Sequence, residues 1–144
     1  MGYYITQRNC KFYIPAKNIN SVMNALVELS TKPELMGGSS YSSAEGIKRH
    51  FAFVDMTYPK QKTLSAMLAC WRWEAECDKE GAIIGLDFSG EKSGDDSALF
   101  NAIAPFVKRG SYIEMAGEDG NIWRWSFDGK VMKEIDGKVT FRKG

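Results

Sequence analysis

The stretch "GSYIEMAGEDGNIWRWSFDGKVMKEIDGKVTFRK", residues 110–143, decides the fold. Its runs "SYIEMAG", "IWRWSF", "KVMKEI" and "KVTFRK" are separated by "EDGN" and by two Asp-Gly pairs. Asp-Gly between alternating runs is a strong local hairpin signal, because hairpin turns need residues at positive φ. The stretch predicts a four-strand antiparallel meander. Side chains alternate between the faces of a strand, so Trp123, Trp125 and Phe127 share one face. Ile113 and Met115 of the preceding run match it. Arg124 falls on the other face, across from Glu114, where an opposite-charge pair contributes a few tenths to ~1 kcal/mol. The tryptophan strand has a hairpin on each side, so its apolar face must be covered, and Trp123 and Trp125 are expected to be structural.

Upstream of the meander, "GDDSALFNAIAPFVKRG" (94–110) reads as a helix. Asp95 or Asp96 caps it, Leu99, Ile103, Phe106 and Val107 form its stripe, and Pro105 loosens its last turn. "RWEAEC" and "AIIGLDFSGE" form a hairpin through "DKEG", with Trp73, Ala75 and Cys77 on one face and Arg72, Glu74 and Glu76 on the other. "YPKQKTLSAMLACW" is a short helix with Leu64, Met67, Leu68 and Trp71 on one stripe, and "HFAFVDM" (50–56) is a strand. Residues 31–49 carry Gly, Ser and Pro without a period and read as a long loop, a length usually tied to function or mobility. "AKNINSVMNALVELS" places Ile19, Val22, Met23, Leu26 and Leu29 at helical spacing, with Asn18 as N-cap. "YYITQRNCKFYIP" is a strand that buries one face. Three helices and about eight short strands give a single α+β domain over 1–144: one twisted, mainly antiparallel sheet with the helices packed on one face.

Composition narrows the function. A chain of 144 residues with 44% hydrophobic and 26% charged residues is ordinary for a soluble globular domain. No apolar run approaches the roughly 18–20 residues that span a bilayer, and no membrane partner is expected. The three cysteines, Cys10, Cys70 and Cys77, are odd in number and sparse, which points to free thiols in a reducing, cytoplasmic setting. A zinc site would need them to converge with His50, the single histidine, and no CxxC pair supports that. Neither a metal nor a cofactor is expected. Net charge is +1, and the stretch 74–96 is strongly acidic: Glu74, Glu76, Asp78, Glu80, Asp87, Glu91, Asp95 and Asp96 against Lys79 and Lys92. That balance speaks against nucleic acid, whose binders carry a basic excess.

All four tryptophans lie in two copies of one tripeptide, WRW, at 71–73 and 123–125. The first straddles a helix-to-strand junction, where two side chains cannot follow one buried stripe. Trp71 or Trp73 is therefore expected to be the more exposed of the set. Trp and Arg are enriched at interface hot spots. A nucleic-acid platform would interleave aromatics with cations, yet the flanks here are Glu74, Glu76, Glu118 and Asp119. No catalytic set appears, because any triad must use His50, which has no nucleophile motif beside it. The carboxylate pairs have bland uses as helix caps and turns. The candidate binding residues are Trp71, Arg72, Trp73, Glu74, Glu76, Asp95, Asp96, Glu118, Asp119 and Arg124.

The words "WRWE" (71–74), "FSGEKSGDD" (88–96), "FNAIAPFV" (100–107) and "GSYIEMAGEDGNIWRWSF" (110–127) together resemble a set of small uncharacterised proteins of bacteria, their phages and mobile elements. That family has no assigned activity. The resemblance implies a mobile-element setting, in which small compact proteins bind and block a host factor. The expectation is a non-enzymatic protein-interaction module, an inhibitor of a bacterial defence effector in the anti-CRISPR-like manner, whose acidic surface occupies a basic channel of its target. The alternative is a small-molecule or nucleotide binder, with Trp stacking on a base and Arg124 or Lys48-Arg49 meeting phosphate, in a pocket beside the 31–49 segment. Oligomeric state is open.

Overall fold

The structure, a computed structural model, describes residues 2–44 and 46–137. The elements run β1 (Ile5–Lys11), α1 (Ile19–Leu29), β2 (Gly38–Ser42), β3 (Gly46–His50), α2 (Leu64–Cys70), β4 (Trp73–Cys77), β5 (Ile83–Phe88), α3 (Asp96–Ile103), β6 (Tyr112–Gly117), β7 (Ile122–Phe127) and β8 (Met132–Gly137). The class is α+β, with eight antiparallel strands and three helices among the described residues. The expected strand "KVTFRK" lies outside them.

The strands divide into three sheets, β1-β6-β7-β8, β2-β3 and β4-β5, instead of one. The seam between β1 and β5 shows why. Backbone bridges join that pair only beyond the two ends of β1, at Tyr4–Lys92 and Ile14–Ile83. In between, β1 bulges between Gln7 and Asn9, and the Gln7 side-chain amide takes over. Its Nε2 donates to the Leu86 carbonyl at 2.7 Å, and its Oε1 accepts from the Phe88 N–H at 2.7 Å. One primary amide has both a donor and an acceptor, so it can stand in for a missing stretch of ladder while the strands splay.

The first three meander strands form as expected, with the turn between β7 and β8 at the first Asp-Gly pair, 128–129. The second pair, Asp136-Gly137, expected as a turn, instead ends β8 as strand, because β7 begins at Ile122 and Trp123 and Ile122 take Asp136 and Gly137 as their ladder partners. Trp123, Trp125 and Phe127 are buried, and Arg124 is exposed. Phe100 of α3 packs on this face, 5.0 Å from the Trp125 ring and 6.0 Å from Phe127. Val22, Leu26 and Leu29 of α1 and Leu64, Met67 and Leu68 of α2 complete one continuous core. Pro105 acts as expected: α3 stops at Ile103 and passes into a 3-10 turn, Ala104–Phe106. Asn18 and Asp95 occupy cap positions, but neither side chain caps its helix. Asn18 reaches the Phe106 carbonyl instead, at 3.1 Å.

Residues 31–56 differ from the sequence reading. The segment expected as a loop holds a 3-10 turn at Pro33–Leu35 and the β2–β3 hairpin. That hairpin has no buried face, so its sequence shows no alternation; Tyr41 and Ile47, paired across it, are 77% and 74% exposed. Of the segment expected as a strand, 50–56, only His50 is strand, as the end of β3, and the rest is turn and irregular backbone. Phe53 adopts φ 61°, the Val54 N–H returns to the Phe51 carbonyl, and the Ala52 N–H donates to Asp95 at 2.7 Å. The same Asp95 oxygen accepts the Gly37 N–H at 2.8 Å, so one carboxylate ties both ends of the hairpin to α3. No helix among the described residues is long and apolar enough to cross a membrane.

Candidate functional site

The first WRW word is core, which corrects the expected exposure of Trp71 or Trp73. Both side chains are fully buried, at 0% exposure. The junction permits this because Arg72 sits at φ 70°. A left-handed residue between helix and strand reverses the chain, so both neighbours turn inward. Trp71 packs 4.8 Å from Phe51 and 5.4 Å from Tyr58. Trp73 donates through Nε1 to Asp96 at 3.0 Å. Arg72 lies between the Phe53 and Phe88 rings, each 5.2 Å away, donates to the Lys92 carbonyl at 2.6 Å and pairs with Asp96 at 3.3 Å.

The acidic candidates separate into two groups. Asp96 is 2% exposed. Burial raises its carboxyl above the usual carboxylate range, against the opposing pull of Trp73, Arg72 and the Gly94 N–H. Asp96 is thus an internal tie, while Asp95, half-buried, spends one carboxylate oxygen on the Gly37 and Ala52 N–H groups. Glu74 and Glu76 stay exposed on the outer face of β4, with Glu74 directly across from Asp87. Arg124 is likewise a surface group: it bonds Glu114 at 2.9 Å, lies 4.2 Å from the Tyr112 ring centre, and shares Glu114 with Arg8. It lies on the face of β7 opposite Trp123 and Trp125, so these three side chains do not line one pocket.

Glu118 and Asp119 hold the N-terminal segment. The Tyr3 hydroxyl donates to Asp119, and the Tyr4 N–H to Glu118 at 3.2 Å. The Tyr3 contact holds Asp119 below the usual carboxylate range and pushes Tyr3 up to about 12. At Gly117 a Cβ would fall on the Tyr3 hydroxyl, so a side chain there would displace Tyr3 from this position.

This places Tyr3 at one wall of a cleft of about 220 Å³ whose other walls include Ser97, Trp123, Trp125, Glu134 and Asp136. The register of β7 against β8 sets Glu134 opposite Trp125 and Asp136 opposite Trp123. The Trp125 Nε1 donates to Glu134 at 2.9 Å and to Ser97 at 3.2 Å, and the Ser97 hydroxyl donates to Glu134 at 3.1 Å. Glu134 is thereby oriented while remaining exposed. The Trp123 and Trp125 rings meet edge to face at 5.9 Å, and Trp123 is the most exposed of the four tryptophans, at 8%.

Tyr3, Ser97, Glu134 and Asp136 escaped the sequence reading. A signal existed for the two acids. Met132, Glu134 and Asp136 alternate in step with Phe127, Trp125 and Trp123 once the Asp-Gly turn fixes the register, which puts carboxylates on the tryptophan side of the sheet. Nothing local marks Tyr3 or Ser97, which arrive from the chain start and from α3. Among the described residues no group of three or more His, Cys, Asp and Glu side chains is placed to hold a metal ion. Neither protein-family models, nor curated proteins, nor solved structures contain a match to this chain.

Proposed function

We propose that the protein is a non-enzymatic interaction module that receives a basic side chain of a partner protein in the cleft between Tyr3, Trp123, Trp125, Glu134 and Asp136. The observation that carries this reading is the pairing of aromatic walls with two carboxylates at one concave place. Aromatic faces attract cations, by about 0.5–1 kcal/mol when exposed and ~2 when desolvated, and a guanidinium also matches a carboxylate in a planar fork. The cleft's 220 Å³ lies below the roughly 300–1,000 Å³ of small-molecule pockets and suits one anchoring side chain. The carboxylates would repel a phosphate. Exposed Glu74, Glu76 and Asp87 extend the acidic character to a second surface.

Two observations support the non-enzymatic part of the reading. Burial pushes the Cys10 and Cys70 thiols up, the reverse of an activated nucleophile. His50 is 3.0 Å through Nδ1 from the neighbouring Phe51 carbonyl. Unpaired Cys10, Cys70 and Cys77 support a cytoplasmic setting. In the mobile-element setting that the sequence resemblance implies, the partner would be a host defence effector with a basic nucleic-acid channel, and the module its inhibitor.

The test is a titration with an arginine-rich peptide, read on the indole N–H resonances of Trp123 and Trp125. The peptide should shift both, a glutamate-rich peptide should shift neither, and Asp136→Lys should weaken binding by about tenfold or more. Unshifted indoles, or undiminished binding by Asp136→Lys, would remove the reading. Affinity capture from bacterial lysate with the wild-type and Asp136→Lys chains then identifies the partner.

A further inference from the structure

At the other end of the four-stranded sheet the charge is reversed. A cavity of about 420 Å³ opens where β1 ends and β6 begins, and Lys11, Lys108 and Arg109 all border it, with Tyr13, Ile84 and Ser111. None of the three cations has a carboxylate within ion-pair distance among the described residues; the ion pairs there involve other groups. Asp128 is close enough for Arg109 to help lower its carboxyl, but that carboxylate already accepts the N–H groups of Lys130 and Val131 at 2.9 Å each. From this convergence we infer a second binding site, for a small phosphate-bearing molecule of the mononucleotide class, independent of the acidic cleft.

The fold holds these groups together. The Lys108 N–H donates to the Tyr13 carbonyl at 2.9 Å, and the Tyr13 N–H to the Ser111 hydroxyl at 3.2 Å, so two chain segments distant in sequence are laced across the cavity edge. The Lys108 ammonium lies 5.5 Å from the Tyr13 ring centre, which keeps its charge at the site. Gly110 adopts φ 91°, the left-handed turn that lets Arg109 and Ser111 follow Lys108 around the same cavity. Three cations without an ion-pair partner at one concave place attract a phosphate, with Arg109 able to grip two of its oxygens. Ile84, 41% exposed, and Tyr13 supply an apolar side for the rest of the molecule.

Size and charge choose the ligand class. A volume of 420 Å³ falls inside the range of about 300–1,000 Å³ of small-molecule sites. A nucleic acid would want a longer basic track and a clear positive excess, whereas this chain has a net charge of +1 and acidic residues at the far end of the same sheet. The site also differs from the Trp/Arg pocket expected from the sequence, since no tryptophan borders it.

Calorimetric titration with ADP, adenosine, pyrophosphate and a single-stranded oligonucleotide tests the proposal on the full chain. ADP should bind, adenosine should bind at least about tenfold more weakly, and Lys108→Ala with Arg109→Ala should cost ADP about tenfold or more while the melting temperature stays within a few degrees. Lys108→Arg should retain binding. Pyrophosphate equal to ADP would show an anion site without a place for the nucleoside and overturn the class. An oligonucleotide that binds more tightly than ADP, with a salt dependence of several phosphates, would assign the cations to nucleic acid. No binding of ADP, or binding indifferent to the double substitution, would remove the site. Asp136→Lys should leave ADP binding unchanged, which separates failure here from failure of the acidic cleft.

Discussion

The same three letters, WRW, are buried by two unrelated devices. In 123–125 the chain is a plain strand. Alternation sends both tryptophans to the core and the arginine to water, where it meets Glu114. In 71–73 the chain is bent by a left-handed Arg72, both tryptophans again go inward, and the arginine follows them to an ion pair with a buried aspartate. The strand's version rests on a periodicity that any alternating sequence shares. The junction's version rests on one specific partner, Asp96, which takes Trp73, Arg72 and the Gly94 N–H together. The lesson is that a tripeptide carries its burial pattern only when the backbone around it is regular.

The largest test of this contrast is at the tryptophans. Trp73→Ala should cost about 3–5 kcal/mol, out of roughly 5–15 kcal/mol for a typical domain, and also strips a donor from Asp96. Trp125→Ala should fall toward the lower end of that range, because its indole lies at the rim of the cleft and its acceptors, Ser97 and Glu134, are reachable by water. Denaturant unfolding of both variants decides; a greater loss for Trp125→Ala would reverse the ranking of the two devices.

The arginines sharpen the comparison. Arg72 is 16% exposed and its partner 2%, so Arg72→Ala strands a buried carboxylate and should cost about 3–5 kcal/mol. Arg124 is 45% exposed, and Arg124→Ala should cost no more than about 1 kcal/mol. Glycine separates backbone from side chain. Arg72→Gly should be about 1 kcal/mol more stable than Arg72→Ala, since alanine resists the left-handed region. At 124 the order should invert, since glycine weakens a strand interior. The same order at both positions would show that the conformation of residue 72 is not what sets the two words apart.

The smallest expected effect is a pH dependence peculiar to the first word. Asp96 has its folded value raised above the unfolded one, first by burial. Its proton-linked stability is then fully present below the unfolded value of about 3.9 and is lost as pH rises through the folded value. Relative to Asp96→Asn, which cannot titrate, the wild-type chain should lose stability as pH rises from about 4 toward neutrality. A relative gain over that window would mean that Arg72 and Trp73 outweigh burial.

Much of the fold was legible because it is periodic. The meander follows from alternation and the Asp-Gly turn at 128–129, although Asp136-Gly137, which reads as a second turn, extends β8 instead. The apolar spacing in α1, α2 and α3 marks their buried faces, and Pro105 marks the last turn of α3. What escaped was aperiodic. The β2–β3 hairpin has no buried face to mark it. Residues 50–56 look like a strand until Asp95 claims the Ala52 N–H. Asp96 looks like a cap or surface acid until the core closes around it, and half-buried Asp95 looks like one until it ties the two ends of the hairpin. Of the candidate site, the acidic partners of Trp123 and Trp125 follow from turn register, while Tyr3 and Ser97 come from remote segments.

The sequence by itself therefore determined the α+β class, the helical stripes and the inward face of β7, because burial of apolar area acts on every repeat of a regular element. Only the tertiary structure decided the direction of Trp71 and Trp73, the inward turn of Asp96, the tie that Asp95 makes across the hairpin, the Gln7 seam between β1 and β5, and the opposite charges at the two ends of the sheet. Most of these depend on one polar or charged group meeting a partner far away in the chain. A single such contact leaves no repeating trace in the sequence, and its energy exists only once the rest of the core has formed around it.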